Sequence, residues 1–363
     1  MKPLTFIITQ LLFVTNIFCQ SSFTITGSIK NEVTGAGLQA ASVFAQNTTL
    51  GTVTNEEGNF SITLPYGGYD FVVSYTGFKS EVRRITSADA TDKIIFNLKE
   101  KEKELETVSI VSSNEVKDGL AKYGDFFKAE FIGKTPNAKG CNIQNPEALH
   151  FFFSKKKNRL KITATEPLVI KNEALGYNIK YALDSFTHEY KTEISVYSGY
   201  PLYENMQGDS TQIQNWQTAR TEAYKGSILH FMRSIYNKTL LQEKFELQFI
   251  LKNNGNEEAI KLKDFYAAIN YSKDDSTQTV EILPNQPEVG ILFLAANPSQ
   301  NYLIENVGEP SNFQFSMLRF KPKESIIIEQ NGYFFDQNDI TTNGYWAWCK
   351  VAAQLPYDYV EIK

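Results

Sequence analysis

Residues 51–60 read G-T-V-T-N-E-E-G-N-F, and this stretch decides the fold expected for the N-terminal part of the chain. Its acidic and amide side chains suggest a calcium loop, but an EF-hand loop needs oxygen ligands at fixed positions along about twelve residues and a closing glutamate. Here Phe60 begins an alternating apolar run instead. Because Asn and Gly tolerate positive φ at tight turns, the stretch predicts a β-hairpin.

The segments around this hairpin alternate apolar and polar residues, which is the period of half-buried β-strands. Residues 60–64 and 69–75 alternate in this way and are separated by a Gly67-Gly68 turn. Four further short runs follow the same pattern; they are residues 23–29, 41–45, 82–85 and 94–98. With the two runs above and the strand that enters the hairpin, seven strands are predicted. We therefore expect a seven-stranded antiparallel β-sandwich over residues 22–112.

Three motifs within this segment carry a family resemblance. They are I-T-G-S-I-K-N-E-V-T-G-A-G-L-Q-A-A-S-V-F (residues 25–44), G-T-V-T-N-E-E-G-N-F-S-I-T-L-P (residues 51–65) and Y-D-F-V-V-S-Y-T-G-F (residues 69–78). They closely resemble the carboxypeptidase-regulatory-like domain, a transthyretin-like (prealbumin-like) sandwich, although Asn55 and Glu57 stand where that family usually has Asp. The resemblance implies an accessory module without catalytic residues. Such modules are common at the front of exported Bacteroidetes proteins, including TonB-dependent outer-membrane receptors.

The start of the chain predicts an export signal. A mostly apolar run over residues 4–18 follows a positive charge, and it is shorter than the roughly 20 residues that span a bilayer. We expect residues 1–19 to be a signal peptide, so that the mature protein is periplasmic or associated with the outer membrane. In the alternative, Cys19 carries a lipid and gives the mature chain its one membrane contact, although Phe18 occupies a position that normally needs a small residue.

Composition and motif spacing argue against several functions. The formal net charge of -5 over 363 residues argues against nucleic-acid binding. None of the three histidines, His150, His188 and His230, begins an H-x-x-E motif, so the zinc carboxypeptidase motif is absent. No phosphate loop, dinucleotide fingerprint or metal spacing occurs, and no cofactor is predicted. Cys141 and Cys349 could form one disulfide in an oxidising compartment, or they are buried free thiols.

A strictly alternating charge run, K-E-K-E-K-E-L-E, begins at about residue 99 and predicts a solvated linker. After it, residues 119–363 are predicted to form a β-rich domain of unknown function. Within this domain, residues 213–241 place apolar side chains at helical spacing, which predicts one long helix or two helices joined near Gly226. The fold class is therefore mainly β: the sandwich is followed by a β-rich α+β region with a central helix or helical hairpin.

The densest polar cluster lies on this helical segment and comprises Arg220, Tyr224, Ser227, His230 and Arg233. In the first interpretation these are structural residues at the edge of a helix that packs on a sheet. In the second they bind an anion or a glycan, since Arg offers bidentate donors and Tyr a stacking face. In the third, His230 activates Ser227 as a nucleophile. Glu222 points away from Ser227, so the orienting carboxylate would come from elsewhere, for instance from Asp184 or Asp358, and no G-x-S-x-G elbow is present.

These observations predict an exported, non-catalytic cell-envelope protein. Its sandwich would serve as an interaction or spacer module, and its second region would bind an envelope protein or a glycan. Two alternatives remain: a periplasmic hydrolase that acts on peptide or glycan through Ser227 and His230, and an accessory of TonB-dependent outer-membrane uptake. Residues 216–234 and the ending L-P-Y-D-Y (residues 355–359) resemble uncharacterised Bacteroidetes envelope proteins, a resemblance that implies no particular activity.

Overall fold

A computed structural model describes residues 22–100, 114–253, 256–334 and 340–361. The expected signal peptide and most of the expected linker (residues 101–113) lie outside these ranges. The mainly β fold class is confirmed, with a sandwich followed by an α+β region. Among the helices of the described ranges, none combines the length and the apolar composition that a membrane crossing requires.

The N-terminal part forms the predicted seven-stranded sandwich. Its strands are β1 (Ser22–Asn31), β2 (Ser42–Ala45), β3 (Gly51–Val53), β4 (Asn59–Pro65), β5 (Tyr69–Ser74), β6 (Glu81–Ile85) and β7 (Lys93–Leu98). One sheet has the order β4-β1-β7 and the other β3-β2-β5-β6. Their alternating apolar residues, including Ile25, Phe71 and Phe96, meet in one buried cluster. The pairing is not wholly antiparallel, because β7 crosses over from the other sheet and enters beside β1 in the parallel direction.

The turn predicted near residues 55–59 is present, but it is not a hairpin. β3 pairs with β2 in one sheet and β4 pairs with β1 in the other, so the turn joins the two layers of the sandwich. Asn55 organises it, since its Oδ1 accepts the backbone N–H groups of Glu57 (3.2 Å) and Asn59 (2.8 Å). The acidic residues of the turn are exposed.

The second region contains three sheets and six α-helices within the described residues. The helices are α1 (Gly119–Phe131), α2 (Ser210–Tyr224), α3 (Ile228–Tyr236), α4 (Phe265–Ala268), α5 (Gln300–Glu305) and α6 (Tyr345–Trp348). The six-stranded sheet contains β8 (Cys141–Ile143), β9 (Leu149–Ser154), β10 (Arg159–Ala164), β11 (Leu168–Asn172), β12 (Tyr177–Glu189) and β13 (Ile194–Asn205). The five-stranded sheet contains β14 (Phe245–Asn253), β15 (Asn256–Lys261), β18 (Glu288–Phe293), β19 (Gln314–Phe320) and β21 (Ile340–Gly344). The small sheet contains β16 (Ser272–Asp274), β17 (Thr279–Ile282) and β20 (Ile326–Ile328).

The central helical segment consists of two helices that separate at Gly226. This residue has φ +76°, and a Cβ there would lie 2.5 Å from the Phe293 ring, so the sharp turn requires glycine. A capping box between Asp209 and Gln212 begins α2. Of the two arrangements left open by the sequence, the helical pair is therefore the one formed.

Helix α1 is not among the elements that the sequence pattern predicts. Its Phe127 and Phe131 rings stack at 5.0 Å and turn their edges against residues of β12, with Phe127 5.1 Å from Phe186 and Phe131 4.9 Å from Tyr181. The helix has 13 residues, and two of its buried residues, Phe127 and Phe131, lie in its C-terminal half. Packing on the six-stranded sheet therefore accounts for its stability.

The sandwich is docked on the second region through polar contacts. Arg84 of β6 forms an ion pair with Glu329, whose side chain is only 6% exposed. A Cβ at Gly68 would overlap with the Arg84 guanidinium and lie 2.6 Å from Glu329 Oε1, so this glycine leaves room for the pair. The Tyr333 hydroxyl also donates to Asp70 Oδ2 at 2.5 Å.

Apolar and main-chain contacts extend this sandwich interface. Phe44 and Val72 form a buried cluster with Leu202 of β13. Beside it, the Tyr203 N–H donates to the Thr48 carbonyl at 2.9 Å, so the β2–β3 loop pairs with β13. The sandwich is therefore fixed on the second region by buried side chains and by backbone hydrogen bonds.

Replacing Arg84 by methionine should destabilise the protein by about 3 kcal/mol at neutral pH, because the buried Glu329 carboxylate would lose its counter-charge. Burial already raises the pKa of Glu329, and removing Arg84 raises it further. The destabilisation should therefore be absent below the unfolded-state pKa of this carboxyl and should grow as the pH rises through its folded-state pKa. Urea-induced unfolding between about pH 4 and 7 measures both effects.

The matched control is Arg83→Met, because Arg83 is the neighbouring residue of β6 and its side chain is 44% exposed while it pairs with Glu81. An exposed pair contributes about 0–1 kcal/mol, so this variant should unfold close to the wild type. Equal losses in the two variants, or a loss in Arg84→Met that does not change with pH, would contradict the role assigned to the ion pair.

Candidate functional site

The five predicted site residues lie where α2 ends and α3 begins, but they do not form one site. Tyr224 lies between two of the others: its ring is 4.7 Å from the His230 ring and 5.5 Å from the Arg233 guanidinium. Ser227 contacts the His230 backbone. Arg220 instead faces a different part of the molecule, over the ring of Tyr177.

Ser227 and His230 do not form a nucleophile and base pair. Ser227 is the N-cap of α3, and its Oγ accepts the backbone N–H of His230 at 3.1 Å. The His230 imidazole accepts the Gly226 N–H at Nδ1 (3.1 Å), and its Nε2 lies 3.2 Å from Glu243 Oε2. Burial lowers the pKa of His230. Both ring nitrogens therefore have partners other than the serine hydroxyl.

A serine–histidine contact does occur at another place, between adjacent strands. His188 Nδ1 lies 2.9 Å from Ser195 Oγ, and His188 Nε2 lies 3.5 Å from Glu193 Oε2. The imidazole is buried between the rings of Phe126 and Tyr190, at 4.7 and 4.5 Å. Since His188 and Ser195 are directly paired residues of β12 and β13, we interpret the contact as a cross-strand hydrogen bond.

Arg233 has a structural position. Its Nε donates to the Asn331 carbonyl at 2.9 Å, and its Nη2 donates to the Tyr357 carbonyl at 3.0 Å. The side chain therefore ties α3 both to the segment beside the sandwich interface and to the C-terminal tail.

Arg220 lies in the wall of a cleft of about 180 Å³, which we call the junction cleft. The cleft forms where the sandwich, α2, the six-stranded sheet and the C-terminal tail meet. Its lining residues are Thr49, Tyr177, Asn205, Gln217, Arg220, Pro356, Asp358, Tyr359 and Val360. Of the five predicted site residues, Arg220 is the one that lines it.

The guanidinium of Arg220 is held rigidly in this wall. Its Nε donates to the Leu175 carbonyl at 2.7 Å and its Nη2 to the Gly176 carbonyl at 2.9 Å, while Cζ lies 3.8 Å from the centre of the Tyr177 ring. Partial burial lowers the pKa of Arg220, but arginine stays protonated at neutral pH. Two of the five guanidinium N–H donors are used in these bonds, and three remain.

Asp358 of the C-terminal tail also lines the junction cleft. The Asp358 carboxylate accepts the backbone N–H of Thr49 at 2.9 Å and also the Thr49 hydroxyl. Because both oxygens bond to the sandwich, this carboxylate is occupied in holding the tail to it. The sequence contained only a weak signal for this role, the polar and aromatic residues of the L-P-Y-D-Y ending.

Neither a metal centre nor a disulfide is present among the residues that the structure describes. No group of three or more His, Cys, Asp or Glu side chains in the described ranges comes close enough to share an ion. Cys141 and Cys349 are free thiols. Burial raises the pKa of each thiol to about 12, which keeps both protonated and unreactive at neutral pH.

The fold and the sequence together define the N-terminal part as a β-sandwich module. Residues 25–110 match the family model of the CarboxypepD_reg-like domain, which confirms the resemblance of this segment. The match ends before α1, so it does not include the second region. A comparison with curated proteins found no match to the chain.

Substitution of the helix cap distinguishes a structural from a catalytic role for Ser227. Ser227→Ala should destabilise the protein by about 1 kcal/mol, because the first turn of α3 loses its cap. Ser227→Asp should retain the wild-type stability, since aspartate caps helices as well as serine does. Thermal or urea-induced unfolding measures both variants. Covalent labelling of the wild type at Ser227 by a fluorophosphonate would show instead that this serine is an activated nucleophile.

Proposed function

We propose that this protein is an exported, non-catalytic binding protein of the cell envelope, and that its junction cleft holds a short acidic glycan. The observation that carries the proposal is the fixed guanidinium of Arg220 in the wall of the cleft. Its remaining donors match a carboxylate, which accepts paired N–H groups from arginine. The side chain needs little further ordering to bind, because two carbonyls already hold it in place.

The other lining residues favour a sugar as the bearer of that carboxylate. Asn205 and Gln217 offer amide groups, and Tyr359 offers a hydroxyl at 3.3 Å from Thr221 Oγ1. Such groups form hydrogen bonds with the hydroxyl groups of a sugar ring in both directions, as donors and as acceptors. A cavity of about 180 Å³ suits a single sugar ring rather than a long chain.

The absence of catalysis in this proposal rests on how Ser227 and His230 are used. The serine hydroxyl caps α3, and the imidazole bonds to Gly226 and Glu243. Among the described residues that line the junction cleft, the one carboxylate is that of Asp358, and both of its oxygens bond to Thr49. General acid–base catalysis needs a titratable group within reach of the substrate proton, and this carboxylate already has other partners.

The sandwich has a direct part in this function. Thr49 lines the junction cleft and lies in the loop that pairs with β13. The module therefore contributes a wall of the site, in addition to any contact of its exposed surface with other envelope components such as a TonB-dependent uptake system.

Binding of a uronic acid tests the junction cleft. A disaccharide with one glucuronate, cellobiouronic acid, should bind more tightly than cellobiose, because the neutral sugar lacks the acceptor for Arg220. Gln217→Ala should weaken the binding about fivefold, the effect of one hydrogen bond. Isothermal titration calorimetry or ligand-observed NMR measures these affinities.

Gln214→Ala serves as the matched control, because Gln214 is exposed on α2 one turn earlier and does not line the cleft. It should bind like the wild type. Equal affinities for the acidic and the neutral sugar would reject Arg220 as the recognition element. Preferential binding of a peptide carboxylate over both sugars would move the assignment from glycans to proteins.

The mass of the mature chain shows where the chain begins and whether it carries a lipid, and it therefore tests export. Protein purified from the envelope of its own host should begin at Gln20, because the signal peptide is removed after Cys19. A chain that begins at Cys19 and carries acyl chains would show a lipoprotein, and recovery of the unprocessed chain from the cytoplasm would contradict export.

A further inference from the structure

A second cleft, of about 320 Å³, shares no lining residue with the junction cleft and is not used in the function proposed above. It lies between the C-terminal end of α1, helix α5 with the turn that follows it, and helix α6. We call it the acidic cleft, after the three glutamates in its lining, which are Glu130, Glu305 and Glu309.

An aromatic cluster forms one wall of the acidic cleft. Tyr302 is 2% exposed and packs edge-on against Tyr345 (5.1 Å between ring centres) and Trp348 (5.5 Å). Tyr302 and Trp348 line the cleft itself. The Trp348 indole is oriented by a hydrogen bond from Nε1 to Glu305 Oε2 at 3.3 Å. A fixed aromatic wall of this kind attracts cations over its ring faces.

The carboxylates of the cleft outnumber its lysines. Glu305 pairs with Lys134, with 3.4 Å between Oε2 and Nζ. Lys350 interacts with Glu130, whose charge opposes the lowering of the Lys350 pKa by burial.

Glu309 is left without a cationic partner among the described residues. Its Oε2 is buried and accepts no hydrogen bond from them. Burial raises the pKa of the Tyr302 hydroxyl, and the charge of Glu309 and a side-chain hydrogen bond between the two residues raise it further. A buried carboxylate oxygen without a donor is unfavourable, so a cation or another strong donor at this position would be stabilising.

Two apolar side chains that are close in sequence to residues of the acidic cleft are unusually exposed. Ile304 is 74% exposed and Val307 is 93% exposed, and in sequence they flank Glu305 and Asn306 of the cleft lining. Exposed apolar side chains such as these are available to pack against apolar side chains of a partner protein. The formal net charge of -5 adds a weak attraction for a basic partner.

We propose that the acidic cleft is a docking site for a segment of a partner protein that inserts an arginine side chain beside Glu309 and Trp348. Arginine fits both groups, since its planar guanidinium stacks on aromatic rings and pairs with carboxylates. Apolar side chains next to that arginine pack on Ile304 and Val307. An arginine in a well-packed pocket is the usual form of a binding hot spot.

A short peptide tests the site directly. The probe is acetyl-Leu-Ser-Arg-Ser-Leu-amide, and its matched partner has citrulline, the neutral isostere, in place of arginine. The NMR signal of the Trp348 indole N–H, assigned with Trp348→Phe, reports occupancy of the cleft. The arginine peptide should give a saturable shift, and the citrulline peptide should bind at least about tenfold more weakly because it lacks the charge.

Substitutions show which side chains of the acidic cleft contribute to the affinity for the peptide. Glu309→Gln should weaken binding of the arginine peptide about tenfold, because the charge that pairs with arginine is lost. The fold should be kept, since the amide oxygen can still accept a hydrogen bond from the Tyr302 hydroxyl. Glu324→Gln, which removes an exposed carboxylate outside the cleft, should leave the affinity unchanged. Val307→Ser should weaken binding of the peptide severalfold, because its leucine side chains lose an apolar contact. It should leave the binding of free arginine amide unchanged, since that ligand has no leucine.

Three outcomes would overturn the proposal. They are the absence of any shift at millimolar peptide, equal binding of the arginine and citrulline peptides, and binding of free arginine amide as tightly as the peptide. The last would show a pocket for small cations instead of a protein-docking surface. Gln217→Ala should not alter peptide binding, so a failure here is distinguishable from a failure at the junction cleft.

Discussion

The arrangement of this protein depends on the ion pair between Arg84 of the sandwich and Glu329 of the second region. Burial lowers the pKa of the arginine and raises that of the glutamate, so each charge is costly in this position without the other. A buried pair of this kind adds little net stability compared with apolar residues, but breaking it is expensive. It therefore selects one docked orientation, and Gly68 supplies the space that the orientation needs.

The sandwich makes close contacts with the second region. An interaction or spacer module on a charged linker would need few contacts with the domain that follows it. Here Thr49 bonds to Asp358 and lines the junction cleft, while Phe44 and Val72 are buried against Leu202. The module is consequently packed on the second region and contributes to the lining of the junction cleft.

Local patterns predicted the sandwich well and the candidate sites poorly, for physical reasons. Alternation and turn residues are local signals, and they identified seven strands and the helix break at Gly226. The position of Arg220 depends on carbonyls of the β11–β12 loop, and Asp358 of the tail lines the same cleft; both are distant from it in sequence. Likewise, Ser227 next to His230 suggested chemistry, whereas a helix N-cap explains the same spacing, and only the side-chain directions distinguish the two.

The position of the junction cleft couples binding to domain docking. Its walls come from the sandwich, from α2 and from the tail, so a ligand that contacts Thr49 as well as Arg220 has full affinity only when the sandwich is docked. By linkage, such a ligand stabilises the docked state by the difference between its affinities for the docked and undocked states. Loosening the Arg84–Glu329 pair would then lower ligand affinity at a distance from the cleft, because a smaller fraction of molecules would present the complete site.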